Sequence, residues 1–364
     1  MIRKSAITLG VATLWTFRPL TAYAHGGNTL TDGDLWLAWQ PSASVSISVL
    51  ATSAIYLVGM RRRNGRTGEA ISSWRHASFF AGIVAVVAAL QSPIDPVAER
   101  LFYVHQVQHL LLRMLGPMLI TLAWPAATLI AGTPRILRRN LLAPIASNRL
   151  CRRSFGVISH PASVTVLFVA ALYLWQIPSF HNRAVLDNGV HYSMHASMFA
   201  AGLLFWLKIF ERRSAPHGTR HGARVLMLVL VILSNIVLGS YTALKSRILY
   251  TAYDIPGRFH DMAPLTDEQI GGIIIWIPSS MMCLIGVLIV MQMYGRHEAR
   301  LEARRTRWSP SNSASLLYPT TGKALVSMAR TKNRSMAAGI AAFTFSVFAM
   351  SVFIGVLSRL SWAP

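Results

Sequence analysis

Charge is scarce in this chain, and acid is scarcer still. Of 364 residues only 13% are charged, and 13 Asp and Glu stand against 35 Lys and Arg. Apolar residues supply 53% and the mean hydropathy is +0.43, which excludes an ordinary soluble domain and places the chain in a bilayer. Cysteine is nearly absent: Cys151 and Cys283 lie far apart, so neither a disulfide framework nor a CxxC metal motif is available. HExxH is missing too, and the long apolar runs hold no acid and few cations, Arg113 and Lys208 among them. With no acid, base or nucleophile grouped for catalysis, the chain is not read as an enzyme. The net charge of +22 does not mark a nucleic-acid binder, because the basic residues are confined to loops between apolar runs. Such loops orient membrane segments and contact anionic lipid.

What is abundant is apolar segments of bilayer length. Eight of them, roughly 42–60, 76–92, 101–123, 162–179, 190–210, 224–244, 270–294 and 336–358, each approach the ~20 residues that a spanning helix needs. Gly116-Pro117 and Trp124-Pro125 predict a kink or an early end in the third. Ahead of them, Arg3 and Lys4, an apolar core from Ala6 to Trp15, and Ala22-Tyr23-Ala24 form the pattern of a cleavable signal peptide. The fold class is therefore an all-α polytopic membrane protein: a signal peptide at 1–24, an outer arm at 25–41 and a seven-helix core at 42–294. A basic linker at 295–335, read as mobile and lying on lipid, leads to an additional helix and short tail at 336–364. Alternate loops hold Arg61, Arg62, Arg63, Arg66 and Arg75; Arg135, Arg138, Arg139, Arg149, Arg152 and Arg153; Arg212, Arg213, Arg220 and Arg224; and the run from Arg296 to Arg334. Most acids, Asp95, Glu99, Asp187, Asp267 and Glu268 among them, fall in the other loops. The positive-inside rule then predicts both mature termini outside.

One spacing occurs twice: His105-Gln-Val-Gln-His109 and His191-Tyr-Ser-Met-His195. Four residues apart on a helix, two imidazoles share a face and reach a common ion. On the predicted topology the third and fifth segments run the same way, with His105 on the order of 8 Å and His195 on the order of 9 Å below the outer boundary. Titratable groups at such depth are costly and functional by default. His105, His109, His191 and His195 are thus candidate metal ligands. His25, exposed by cleavage after Ala24, is a fifth, through its free amine and imidazole. Imidazole suits copper, zinc and iron, and affinity for divalent ions peaks at copper. Met114, Met194 and Met198 on the same helices add thioethers, so copper leads and zinc follows. Asp95 and Asp187 flank the cluster and are candidates to orient an imidazole. A b-type haem held between the two segments is the rival cofactor. It leaves two of the four histidines unexplained, because the pair on one helix is only about 6 Å apart along the axis. His181 and His260, on the outside, are candidates to assist metal entry but are read first as solvated loop residues.

Three stretches resemble the multi-spanning CtaG-type cytochrome c oxidase assembly factors associated with caa-type oxidases. They are Ser92-Pro93-Ile94-Asp95 with Phe102 to Leu112, His191 to His195 running into Ala201 to Trp206, and Asp267-Glu268-Gln269-Ile270 running on to Pro278. The resemblance covers about 30–295. It implies a bacterial plasma-membrane protein that helps oxidase maturation, through copper supply at the outer face, with oxidase subunits and a periplasmic copper chaperone as candidate partners. The eighth segment and its basic linker depart from the family's seven-span pattern. A copper transporter is a further alternative, but it would need ligands through the full depth, where only scattered Met and Cys283 qualify.

Overall fold

A computed structural model describes residues 38–67, 72–213, 218–253, 262–308 and 322–360. The signal segment, His25 and His260 lie outside these residues. The described residues form helices and connections, with no strand among them. The principal helices are α1 (Ala43–Thr67), α2 (Ser73–Gln91), α3 (Phe102–Leu122), α4 (Ala126–Gly132), α5 (Arg149–Ile158), α6 (Pro161–Gln176), α7 (Pro178–Leu186), α8 (Asn188–Ile209), α9 (His221–Leu244), α10 (Pro264–Trp308) and α11 (Gly322–Leu360). Each of the eight apolar segments overlaps a helix. Four helices (α1, α2, α9 and α10) are long and apolar enough to cross a membrane by themselves, or six if the bent pairs α3–α4 and α5–α6 each count as one span. This is a membrane protein with four to six candidate spans among the described residues. Helix α8 is long enough, at 22 residues, but His191, Ser193, His195 and Lys208 dilute its apolar character; the apolar stretch of α11 is Arg334–Met350.

The punctuation in the third segment acts at two places. Pro117 has no N–H to give the preceding turn, and the six residues before Pro117's helix, Leu110–Leu115, widen into a π-helical turn inside α3. At Trp124-Pro125 the chain bends by 76° into α4, with Trp124 at φ 51°. That corner is held by the Trp124 indole, which donates to the Phe210 carbonyl (2.9 Å) beneath the Arg212 guanidinium, 3.6 Å from the ring. Arg75 donates to the Ala123 carbonyl and Arg62 to those of Ala131 and Gly132. Three of the arginine-rich loops therefore meet at one end of the bundle.

Within the region 295–335, the described residues 295–308 and 322–335 are helical. Helix α10 runs on to Trp308 and α11 already starts at Gly322. The run Arg296 to Arg305 is built of Ala, Leu, Glu, Arg and His. Most of these favour helix, and extending an existing helix needs no new nucleus. Absence of an apolar period therefore did not mean absence of structure.

Helix α9 is the central one: half of its most apolar stretch is buried, against 11% for α1. Around it, Phe168, Phe205, Trp206, Leu228 and Val231 pack with Cys283 and Val290 of α10. Helix α8 reaches α3 at Gly202, where a Cβ would lie 2.4 Å from the Arg113 carbonyl oxygen. Only a glycine allows that approach. It draws the two histidine-bearing helices together.

Candidate metal centre

The two histidine pairs do converge. Ring centroids of His105 and His109 are 4.4 Å apart, as are those of His191 and His195. Across the helices, His195 stands 5.7 Å from His105 and 5.6 Å from His109, and His191 stacks on His105 at 5.2 Å. One ring nitrogen each from His105, His109 and His195 lies within 4.8 Å of the others. All three residues are buried, and His105 Nε2, both nitrogens of His109 and His195 Nε2 have no hydrogen-bond partner. A buried polar atom left unpaired costs roughly 1–3 kcal/mol, so four in one cluster call for an occupant. His191 is nearer the surface and hydrogen-bonds the Ala184 carbonyl.

A fifth ring belongs to the cluster. His181 is fully buried on α7, 5.1 Å from His105, so the solvated-loop reading of this residue is corrected. Pro178 starts α7 directly after α6 ends and turns the chain back into the bundle. Tyr253, which sequence reasoning did not single out, is also fully buried. It bridges His105 Nδ1 (2.5 Å) and His181 Nε2 (2.8 Å). The remaining His181 nitrogen, Nδ1, faces the Trp175 carbonyl at 2.8 Å. A carbonyl only accepts, so in a neutral His181 the proton sits on Nδ1 and Nε2 is a lone pair. Tyr253 Oη–H donates to it, and the tyrosine oxygen accepts from His105 Nδ1–H. His105 Nε2 is thereby left as a bare lone pair. The chain has a single polarity because it ends on an acceptor. The signal available in the sequence was a histidine ten residues ahead of the His191 pair.

The flanking acids do not touch the imidazoles, contrary to expectation. Asp95 accepts from Gln108 Nε2 (2.6 Å), and Asp187 caps α8 by accepting from Val190 N. Asp95, in the connection between α2 and α3, is held by burial well above the usual carboxylate range, at about 6. Met194 and Met198 are core residues, packed with Leu172, Trp175 and Ile275.

The third motif places the first. Asp267 accepts from the backbone N–H groups of Phe102 (2.9 Å) and Tyr103 (2.8 Å), capping α3 from another helix. Glu268 pairs with Lys245 and accepts from Leu249 N and Tyr250 N, and Gln269 Nε2 donates to the Lys245 carbonyl. The connection carrying Tyr253 is thus tied to α10. At Gly271 a Cβ would meet the Phe102 ring at 2.3 Å, so α10 lies directly on the first turn of α3.

An uncharacterized protein of Mycobacterium leprae is 22% identical over 283 residues, 76% of this chain and 42% of its own length. One from Mycobacterium bovis is 23% identical over 260 residues, 68% of this chain and 38% of its own. The chain thus spans about two fifths of the length of these curated relatives. No solved structure matches. Residues 54–296, which hold α2 to α9, all five clustered histidines, Tyr253 and the Asp267-Glu268 pair, match the cytochrome c oxidase caa3 assembly factor family (Caa3_CtaG), and the chain belongs to that family.

Proposed function

We propose that the chain serves cytochrome c oxidase assembly by holding one copper ion at His105, His109 and His195 and passing it to an oxidase subunit. The observation that carries this reading is the set of buried, unpartnered ring nitrogens within 4.8 Å of one another. Three neutral imidazoles give a complex with the full charge of its ion. In a low-dielectric site the charging cost rises with the square of that charge, which favours Cu(I) over Cu(II) or Zn(II). His191, nearer the surface and stacked on His105, is the receiving ligand on the way in. A cleft of about 730 Å³ between α1, α2, α3 and α8 is lined by His195, which makes that ligand the one a client subunit reaches from the bilayer. Seven spans in the core, an eighth C-terminal span and a mature N-terminus outside, where His25 could deliver copper from a periplasmic chaperone, belong to the same proposal.

Haem is disfavoured because the rings touch one another directly, His191 stacked on His105 and the other neighbouring pairs edge to face, with centroids 4.4 to 5.7 Å apart and no slot for a macrocycle between them. Metal analysis of protein purified in nanodiscs with an anaerobic Cu(I) competitor tests the reading. The expected result is one copper per chain, abolished rather than halved in His109→Ala/His195→Ala. Stoichiometric haem, or undiminished copper in the double variant, overturns it.

A further inference from the structure

A second, smaller site lies one turn deeper. Gln106, His109, Arg113 and Ser279, with Leu172 and Ile275, line a small cavity of about 10 Å³, the size of one water or one monatomic ion. Its donors and acceptors follow from the surrounding network. The Tyr250 hydroxyl hydrogen is shared between the backbone and side-chain oxygens of Gln176, 2.9 Å from each, with Gln176 Oε1 accepting. Gln176 Nε2 then donates to Gln106 Oε1 at 2.6 Å. That leaves the Gln106 amide nitrogen, with two hydrogens, buried and unpartnered.

Arg113 is equally short of a partner. The residue is 2% exposed. Its Nη2 donates to the Phe168 carbonyl (3.3 Å), its Nη1 only grazes Met114 Sδ (3.9 Å), and the guanidinium stacks on the Phe168 ring at 3.8 Å. Its Nε has no acceptor, and the ion pairs among the described residues, Lys208–Glu211 and Lys245–Glu268, do not include it. A guanidinium does not lose its proton, so a full positive charge stands inside the bundle with no carboxylate against it. Intramembrane charges of this kind are paired or mark an ion site.

We propose that the cavity holds one halide ion, chloride in the cell, which receives the Gln106 Nε2 and Arg113 Nε hydrogens and neutralises Arg113. Gln106 Nε2 and Arg113 Nε can only donate, and His109, whose lone pair serves the histidine cluster, has an N–H left to give, so the occupant must accept. The uncompensated charge selects an anion over water. His109 borders this cavity and also belongs to the three-histidine cluster, so the anion lies on the far side of His109 from any cation held there and offsets the repulsion between that cation and Arg113. The anion site does not depend on metal, because Gln106 and Arg113 require an acceptor in either state.

Bromide reports it directly. Full-length protein in nanodiscs is equilibrated with bromide, desalted into gluconate, and the retained bromide counted by X-ray fluorescence. One bromide per chain is expected in the wild type, with none in Arg113→Met or in Gln106→Met, the milder change should the first not fold. Thermal unfolding provides a second reading: the midpoint should rise with halide but not with gluconate, and the difference should vanish in either variant. A wild type that retains no bromide and is equally stable in both salts means that a water fills the cavity, and the proposal falls. Bromide retained undiminished in both variants overturns it as well.

Discussion

Replacing Tyr253 by Phe removes one oxygen and nothing else, and the consequence can be worked through atom by atom. In the wild type the hydroxyl accepts from His105 Nδ1–H and donates to His181 Nε2. Without it, the His105 proton has no acceptor at Nδ1 and no reason to stay there. On Nε2 the same proton would cover the lone pair that faces His109 and His195. One buried hydrogen bond lost at a neutral group costs about 1–3 kcal/mol. Loss of a partner that orients a metal-bound imidazole weakens metal affinity about 10- to 100-fold, or about 1.4–2.8 kcal/mol. The two scales agree, so Tyr253→Phe should lower Cu(I) affinity by one to two orders of magnitude in a competition assay against a chromophoric chelator. The same change should be visible without metal. In ¹⁵N-histidine NMR spectra of the metal-free protein, His105 should be the Nδ1–H tautomer in the wild type and lose that preference in the variant. His181→Ala should act in the same direction through the tyrosine, and the double variant should be no worse than the stronger single one. Copper affinity within twofold of wild type together with an unchanged His105 tautomer would refute the argument. A tautomer shift with no copper bound in either protein would leave the hydrogen-bond chain standing and remove the metal reading.

Other outcomes follow from packing and charge. Gly202→Val places a side chain where a Cβ alone lies 2.4 Å from the Arg113 carbonyl oxygen, so it should force α8 off α3, destabilise by about 1–3 kcal/mol and reduce copper loading more than the same change at exposed Gly156. Lys245→Met strands buried Glu268 without its cation; a loss of about 3–5 kcal/mol is expected, with much of it recovered in Lys245→Met/Glu268→Gln, read as unfolding midpoints. Asp95 is held at about 6 by burial, against the opposing hydrogen bond from Gln108. Its folded value lies above its unfolded one, so its contribution is most favourable below about pH 4 and is lost as the pH rises through about 6. Asp95→Asn should therefore stabilise the protein at pH 7 by up to about 3 kcal/mol, with the gain vanishing toward pH 4; a pH-independent effect would contradict the assignment.

Helices were legible in the sequence wherever apolar runs reached bilayer length, because lipid leaves the backbone few alternatives. The histidine pairs were legible for the same reason: a four-residue spacing on an apolar helix fixes a face and a depth. Their partners were not. Tyr253 is placed by a connection whose shape depends on Glu268 and Lys245, far along the chain, and no periodicity marks such a contact. His181 was assigned to solvent because α7 is short and polar, yet Pro178 turns it inward. The helical parts of 295–335 were missed because a polar stretch with good helix formers carries no apolar period to read.

The acids at the histidine-bearing end of the bundle show why a site without acidic ligands still needs acids near it. His105 and His109 lie in the first turns of α3, and His191 and His195 in the first two turns of α8. Both helices therefore bring their N-terminal ends, equivalent to about half a positive charge each, near the place where a cation would sit. Taken alone, that arrangement repels a metal. Each end is capped by a carboxylate, Asp267 on α3 and Asp187 on α8, which accept the free N–H groups and cancel the local positive field. The acids expected to orient imidazoles have a different task. They allow two helix N-termini to face one cluster of neutral rings, and they keep the first turn of α3 wound so that His105 stays under Tyr253. The loss of either carboxylate should be felt at the histidines although neither touches one, and that is the sense in which Asp267, a hundred and sixty residues away in sequence, belongs to the same centre as His105.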